Sequence, residues 1–94
     1  MIEQAYKEEK EHYVSRVNHF KEVIEKSTKE LEYRKVKLEV LNQISGSVES
    51  DSGRMILSED IKFAQGEIAN LQKEIIHARG NLKTFESIVK AFKY

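Results

Sequence analysis

Apolar residues recur at alternating spacings of three and four along the last third of the chain, and no position of the pattern is missed over five heptads. Such spacings place the residues on one side of a helix, where they form the a and d seam of a coiled coil. The members are Ile61, Ala64, Ile68, Leu71, Ile75, Ala78, Leu82, Phe85, Val89 and Phe92. A helix with this seam has to pack that side against another helix.

The first half of the chain carries a second, less regular seam. Its a positions are Val17, Ile24, Leu31 and Leu38, and its d positions are Tyr6, Tyr13, Phe20 and Leu41. Ser27 and Arg34 interrupt the d positions, and Lys10 interrupts the a positions. The chain has no proline, so neither helix is broken by one. We expect two long helices.

The helix boundaries follow from capping residues and from the limits of the seams. We predict a first helix over about 2–45, a loop over about 46–57 and a second helix over about 58–92. Ser58 is a suitable N-cap, and two acidic residues follow it in the first turn. Gly80 could end the second helix, but the seam continues in phase beyond it, which favours a continuous helix.

Two helices joined by a short loop are expected to fold back on each other. If the numbers of facing residues add to about 102, every a position meets a d position, as antiparallel packing requires. Leu41 then faces Ile61, and Tyr13 faces Val89. The predicted fold is all-α: an antiparallel, coiled-coil-like helical hairpin, which we expect to pair into a four-helix bundle.

This register leaves residues 1–8 beyond the end of the second helix. We expect them to fray, or to form a turn in which Tyr6 covers Phe92, Tyr94 or a second chain. Ser27 and Arg34 are expected to act as a register device or to form a partly exposed layer. The alternative is that Arg34 pairs with a carboxylate of a partner, because a buried unpaired arginine is too costly.

A second apolar surface is predicted near the loop. Tyr33, Val36 and Val40 lie about 180° around the first helix from its seam. The predicted partner-binding residues are Tyr33, Val36, Val40, Ile44, Phe63 and Ile76. The alternative is that they are scattered surface residues, which are common on soluble proteins. The loop itself is expected to be a connector, with an anion-binding or partner-binding loop as the alternative.

Composition offers few other functions. Lys and Arg number 16, as do Asp and Glu, and there is no cysteine. His12 and His19 lie too far apart along a helix to share a metal ion without other ligands. We expect no enzyme activity, no cofactor, no metal site and no membrane span. The start of the chain lacks the apolar core of a signal peptide, so we expect a cytoplasmic protein, with export by another route left open.

The preferred function is a protein-interaction module, such as an adaptor, a small inhibitor or regulator, or a subunit of a complex, with homodimerisation expected. One alternative is a dimeric nucleic-acid-binding hairpin. It would use a weakly basic, aromatic end made of Lys83, Lys90, Phe92, Lys93 and Tyr94. The balanced charge argues against it.

A further alternative is a small exported hairpin, since the length and central loop resemble the outline of the WXG100 group. Ile44-Ser45-Gly46 stands near the place where that group has Trp-x-Gly. The tryptophan is absent, so the resemblance is one of architecture and implies export without a cleaved signal.

Overall fold

The computed structural model of the chain describes residues 1–93. It contains helix α1 (Ile2–Ser45) and helix α2 (Asp51–Ala91). The two helices pack against each other in antiparallel directions, and residues 1–93 contain no strand. This confirms the predicted all-α helical hairpin. The roles predicted for Tyr94 lie outside the described residues.

Helix α1 has the predicted bounds, but the fraying predicted for its first turns is wrong. The helix is formed from Ile2, and the Ala5 amide donates to the Met1 carbonyl at 3.1 Å. Tyr6 supplies the reason: its ring stands edge-on to that of Phe92, with centroids 5.2 Å apart. The backbone amide of Lys93 also donates to the Tyr6 hydroxyl. The second prediction, that Tyr6 covers Phe92, is confirmed.

Helix α2 begins seven residues earlier than predicted, at Asp51 instead of Ser58. Ser50 is the N-cap: its Oγ accepts a hydrogen bond from the Gly53 amide at 3.0 Å. The Arg54 amide donates to the Ser50 carbonyl at 3.0 Å, which closes the first helical turn. The predicted loop over 46–57 is therefore corrected to residues 46–50.

The shortened loop uses its polar groups within the turn. The Ser47 amide donates to the Ile44 carbonyl at 2.9 Å. The Arg54 guanidinium donates from Nε to the Val48 carbonyl, also at 2.9 Å. These bonds satisfy backbone groups that a tight connection between helices would otherwise leave without partners.

The chain divides into two compact units, which we describe separately. The first unit contains residues 1–26 of α1 and the described residues of α2 from 75 onward. The turn unit contains residues 27–74, which include the connection between the helices.

In the first unit, Val17, Ile75 and Ala78 are buried, with exposed fractions of 8%, 6% and 3%. A continuous ladder of rings lies along the same seam: Tyr6, Phe92, Tyr13, Phe85 and Phe20. The Tyr13 centroid is 6.2 Å from that of Phe85 and 6.0 Å from that of Phe92. Val89 lies between those two residues in sequence, so the ring positions agree with the predicted facing of Tyr13 and Val89.

In the turn unit, Ile68 and Ser27 are buried. Ser27 is only 7% exposed, whereas the Arg34 side chain is 32% exposed, so the predicted partly exposed layer is present at Arg34 and not at Ser27. The a and d residues of α1 in this unit, Leu31, Leu38 and Leu41, are only half-buried. One stripe per helix does not enclose a core, which is the expected limit of a two-helix fold.

Three glycines of α2 should respond differently to alanine. A Cβ at Gly66 or at Gly80 would meet open space, so each change to alanine should stabilise the fold by about 1 kcal/mol. A Cβ at Gly53 would lie 2.7 Å from Val48 Cγ1 and 2.8 Å from the capping Ser50 Oγ. Gly53→Ala should therefore lower the free energy of unfolding, measured by urea denaturation. An equal increase in the free energy of unfolding at all three positions would contradict the close contact at the N-cap.

Candidate interaction surface

Arg34 is the most informative polar residue of the turn unit, because it bonds to both helices. Its Nε donates to Glu30 Oε1 at 2.7 Å, and its NH1 donates to Glu67 Oε2. The three side chains are 32%, 45% and 28% exposed. Both acceptors belong to this chain, so the hairpin itself supplies the carboxylates that a half-buried Arg34 requires.

The two carboxylates also fix the charge of Arg34. The hydrogen bond to Glu30, with the nearby charge of Glu67, raises the pKa of the guanidinium above its ordinary value, although desolvation opposes the shift. Because its pKa is raised, the contribution of Arg34 to folding stability is complete below the ordinary arginine pKa and is lost only at higher pH. Arg34 therefore keeps its charge across the neutral range.

The ion pairs also identify which flank of α1 lies beside which flank of α2. Glu30 and Glu67 share one side of the hairpin, because Arg34 reaches both. Around α1, Tyr33, Val40 and Ile44 lie within about 80° of Glu30, at 100° per residue. On α2, Phe63 and Ile56 lie four and eleven residues before Glu67. Both lie within about 40° of Glu67 around the helix.

We call this set the turn surface: Tyr33, Val40, Ile44, Ile56 and Phe63. Its members are 58%, 50%, 45%, 60% and 70% exposed. All five belong to the turn unit, and they come from both helices. The structure thus places apolar side chains of α1 and α2 on the side of the hairpin that carries the ion pairs.

Four of the six predicted partner-binding residues belong to the turn surface, and two do not. Val36 is 57% exposed but lies about 120° from Glu30 around α1, on the back of the helix. Ile76 is 68% exposed and belongs to the first unit. Ile56 was not predicted, because the sequence assignment placed it in the loop.

Charged residues border the turn surface unequally. On α2, Asp60, Glu67 and Glu74 follow one another at intervals of seven, so they form an acidic row on the same side. On α1, Lys37 lies seven residues after Glu30, and its Nζ is 5.0 Å from the centre of the Tyr33 ring. This distance is typical of a cation–π contact. The α2 edge is acidic and the α1 edge has a small excess of positive charge.

Of the residues predicted for nucleic-acid binding, Phe92 packs between the two helices. Phe92 is half-buried, and its ring contacts Tyr6 and Tyr13 at 5.2 and 6.0 Å. His12 and His19 lie beside Tyr13 and Phe20, with ring centroids 5.1 and 5.2 Å apart. The Phe92 ring is therefore used in packing the helices of the first unit.

Comparisons with protein-family models, with curated proteins and with solved structures gave no match to this chain. Within residues 1–93, neither helix has a stretch that is both long and apolar enough to cross a bilayer. The same residues contain no group of three histidine or acidic side chains placed to hold a metal ion. A function for the chain has to be inferred from its own surfaces.

Proposed function

We propose that the chain is a protein-interaction module without catalytic activity, acting as an adaptor, a small regulator or a subunit of a complex. The observation that carries the proposal is the turn surface, where exposed apolar side chains of two helices share one side of the hairpin. Contiguous exposed apolar surface of this kind marks interaction sites on soluble proteins.

The surface also has the composition of an interface. Burying a large apolar side chain completely is worth roughly 1.5–3 kcal/mol, and each member of the turn surface is about half exposed or more. Aromatic residues and a partly buried arginine, which are enriched at interfaces, lie among or beside the aliphatic ones, and charged residues form the rim. Two adjacent helices with apolar side chains on the same side offer a surface on which a helical partner can pack.

Two of the predicted binding residues, Val36 and Ile76, lie outside the turn surface. Val36 extends the apolar stripe of α1 around its back, and Ile76 is a single exposed residue of the first unit. Single exposed apolar residues are normal on a soluble protein. We therefore assign binding to the turn surface and use Ile76 as a control.

The variant Ile56→Asp/Phe63→Asp should lose assembly while keeping its helices. Each substitution places a charge where the proposed partner is apolar, and each should weaken the complex by about tenfold or more, as expected for interface anchors. Light scattering coupled to size-exclusion chromatography would measure assembly, and circular dichroism would check helicity. Ile76→Asp makes the same chemical change at an equally exposed site and should leave assembly unchanged. If the wild-type chain assembles, equal behaviour of the two variants would overturn the proposal.

A further inference from the structure

We propose that the turn surface is occupied by a second copy of this chain, with the two turns at the same end and α1 of each copy lying on α2 of the other. This inference rests on the proposed function, since it names the partner of the same surface. Its first support is geometric. The surface is two helices wide, and a second identical pair of helices has the width needed to cover it as a four-helix bundle.

Burial gives the second support. No side chain among the described residues is less than 2% exposed, and the seam leucines of α1 in the turn unit are half-buried. A second layer would cover the five members of the turn surface, which the hairpin leaves 45–70% exposed. The contact would therefore complete a core that the hairpin leaves open.

Charge selects the orientation of the second copy. Two hairpins can meet face to face around a two-fold axis in only two simple ways. With the turns at opposite ends, each α2 faces the other α2, and the rows of Asp60, Glu67 and Glu74 oppose each other. With the turns at the same end, each acidic row faces α1, whose residues on this side are Glu30, Arg34 and Lys37. The first arrangement sets three carboxylates against three, whereas the second sets Lys37 near Glu67 and brings only Glu30 near a carboxylate, that of Glu74, so the first is disfavoured.

The favoured arrangement makes a specific contact at Lys37. Facing residues of the hairpin have numbers that add to about 102, and the Arg34–Glu67 pair agrees with this register. Lys37 therefore lies at the height of residue 65, about 3 Å along the axis from the position of Glu67. In the assembly, Lys37 of one copy faces the partner's Glu67 across the bundle.

Lys37→Glu tests this contact, with Lys35→Glu as its matched control. Lys35→Glu makes the same charge change at a position about 200° around α1 from Lys37, on the side away from the turn surface. Sedimentation equilibrium at low salt should show a dimer that Lys37→Glu weakens by about tenfold or more and that Lys35→Glu changes by about twofold or less. High salt should shrink the difference, because it screens the interaction. Equal effects of the two variants would overturn the inference.

The orientation can be measured directly, because the chain has no cysteine. Glu49 is exposed in the turn, so Glu49→Cys provides a single attachment point for a spin label. With turns at the same end, neighbouring helices lie about 8–10 Å apart, and the two labels should be about 20 Å apart or less. A distance of roughly 30 Å or more corresponds to turns at opposite ends of the overlap, and would overturn the inference.

Failure of this inference and failure of the proposed function give different results. A wild-type monomer, or a dimer weakened by Val36→Asp but not by Lys37→Glu, would overturn the second-copy arrangement and leave the interaction module standing. A dimer that Ile56→Asp/Phe63→Asp leaves intact would overturn both.

Discussion

Ile75→Asp should strongly destabilise the hairpin, whereas Ile76→Asp at the next position should have almost no effect. The two isoleucines are 6% and 68% exposed. At position 75, the change removes roughly 1.5–3 kcal/mol of apolar burial and places a carboxylate in the seam. A buried charge without a partner adds a further penalty, so the total loss should exceed about 3 kcal/mol. That is a large fraction of the stability expected for a chain of this size, roughly 5–14 kcal/mol.

Urea denaturation followed by circular dichroism would measure both variants. Ile76→Asp should stay within about 0.5 kcal/mol of the wild-type chain, as exposed substitutions usually do. Two milder substitutions should have smaller effects. Ile75→Val should lower the free energy of unfolding by about 1 kcal/mol, and Ile75→Ala by about 2 kcal/mol. If the variants at positions 75 and 76 lost similar stability, the rotation of α2 described here would be wrong.

The hairpin could be predicted because each seam reports directly on one side of one helix. The a and d residues of α2 from Ile61 to Val89 keep one phase, and the helix is continuous as that phase requires. At Gly80 the helix persists, and the Thr84 hydroxyl donates to the Gly80 carbonyl at 3.0 Å. The helix-propensity cost of a single glycine is small compared with the free energy gained by packing a continuous seam.

The start of α2 was mispredicted because two serines are both suitable caps. Ser58 precedes two acidic residues, but Ser50 caps the helix in the structure. The discriminating signal was Leu57, which continues the seam one step before Ile61 and is half-buried. A seam residue inside a supposed loop indicates helix. Recognising it would also have placed Ile56 on the helix surface.

The turn surface could be predicted only in part. Periodicity identified apolar residues away from each seam, but it gives angles around one helix at a time. Which flank of α1 lies beside which flank of α2 depends on the direction of α2 and on its rotation. The contact of Arg34 with Glu67 supplies both. It groups Phe63 with Ile44, and it excludes Val36 from their side.

Phe85→Ala should be the most damaging truncation in the aromatic ladder. The Phe85 ring is stacked on Phe20, with centroids 5.6 Å apart, and is 6.2 Å from Tyr13. The Arg16 guanidinium carbon lies 5.7 Å from the Phe85 centroid and 5.3 Å from that of Phe20. Removing the ring loses its burial and these contacts at once. We expect the free energy of unfolding to fall by about 3 kcal/mol, the lower end for a phenylalanine, because the site is half-buried.

Phe85→Leu separates the ring contacts from apolar burial. Leucine keeps most of the buried volume but loses the aromatic pairing, which is worth about 0.5–1.5 kcal/mol for a pair of rings. We therefore expect Phe85→Leu to cost about 1 kcal/mol in chemical denaturation. A double-mutant cycle with Phe20→Leu should show a coupling of similar size, because the two rings are in contact. Zero coupling, with a full loss in Phe85→Ala, would show that the ladder stabilises the hairpin only through buried apolar area.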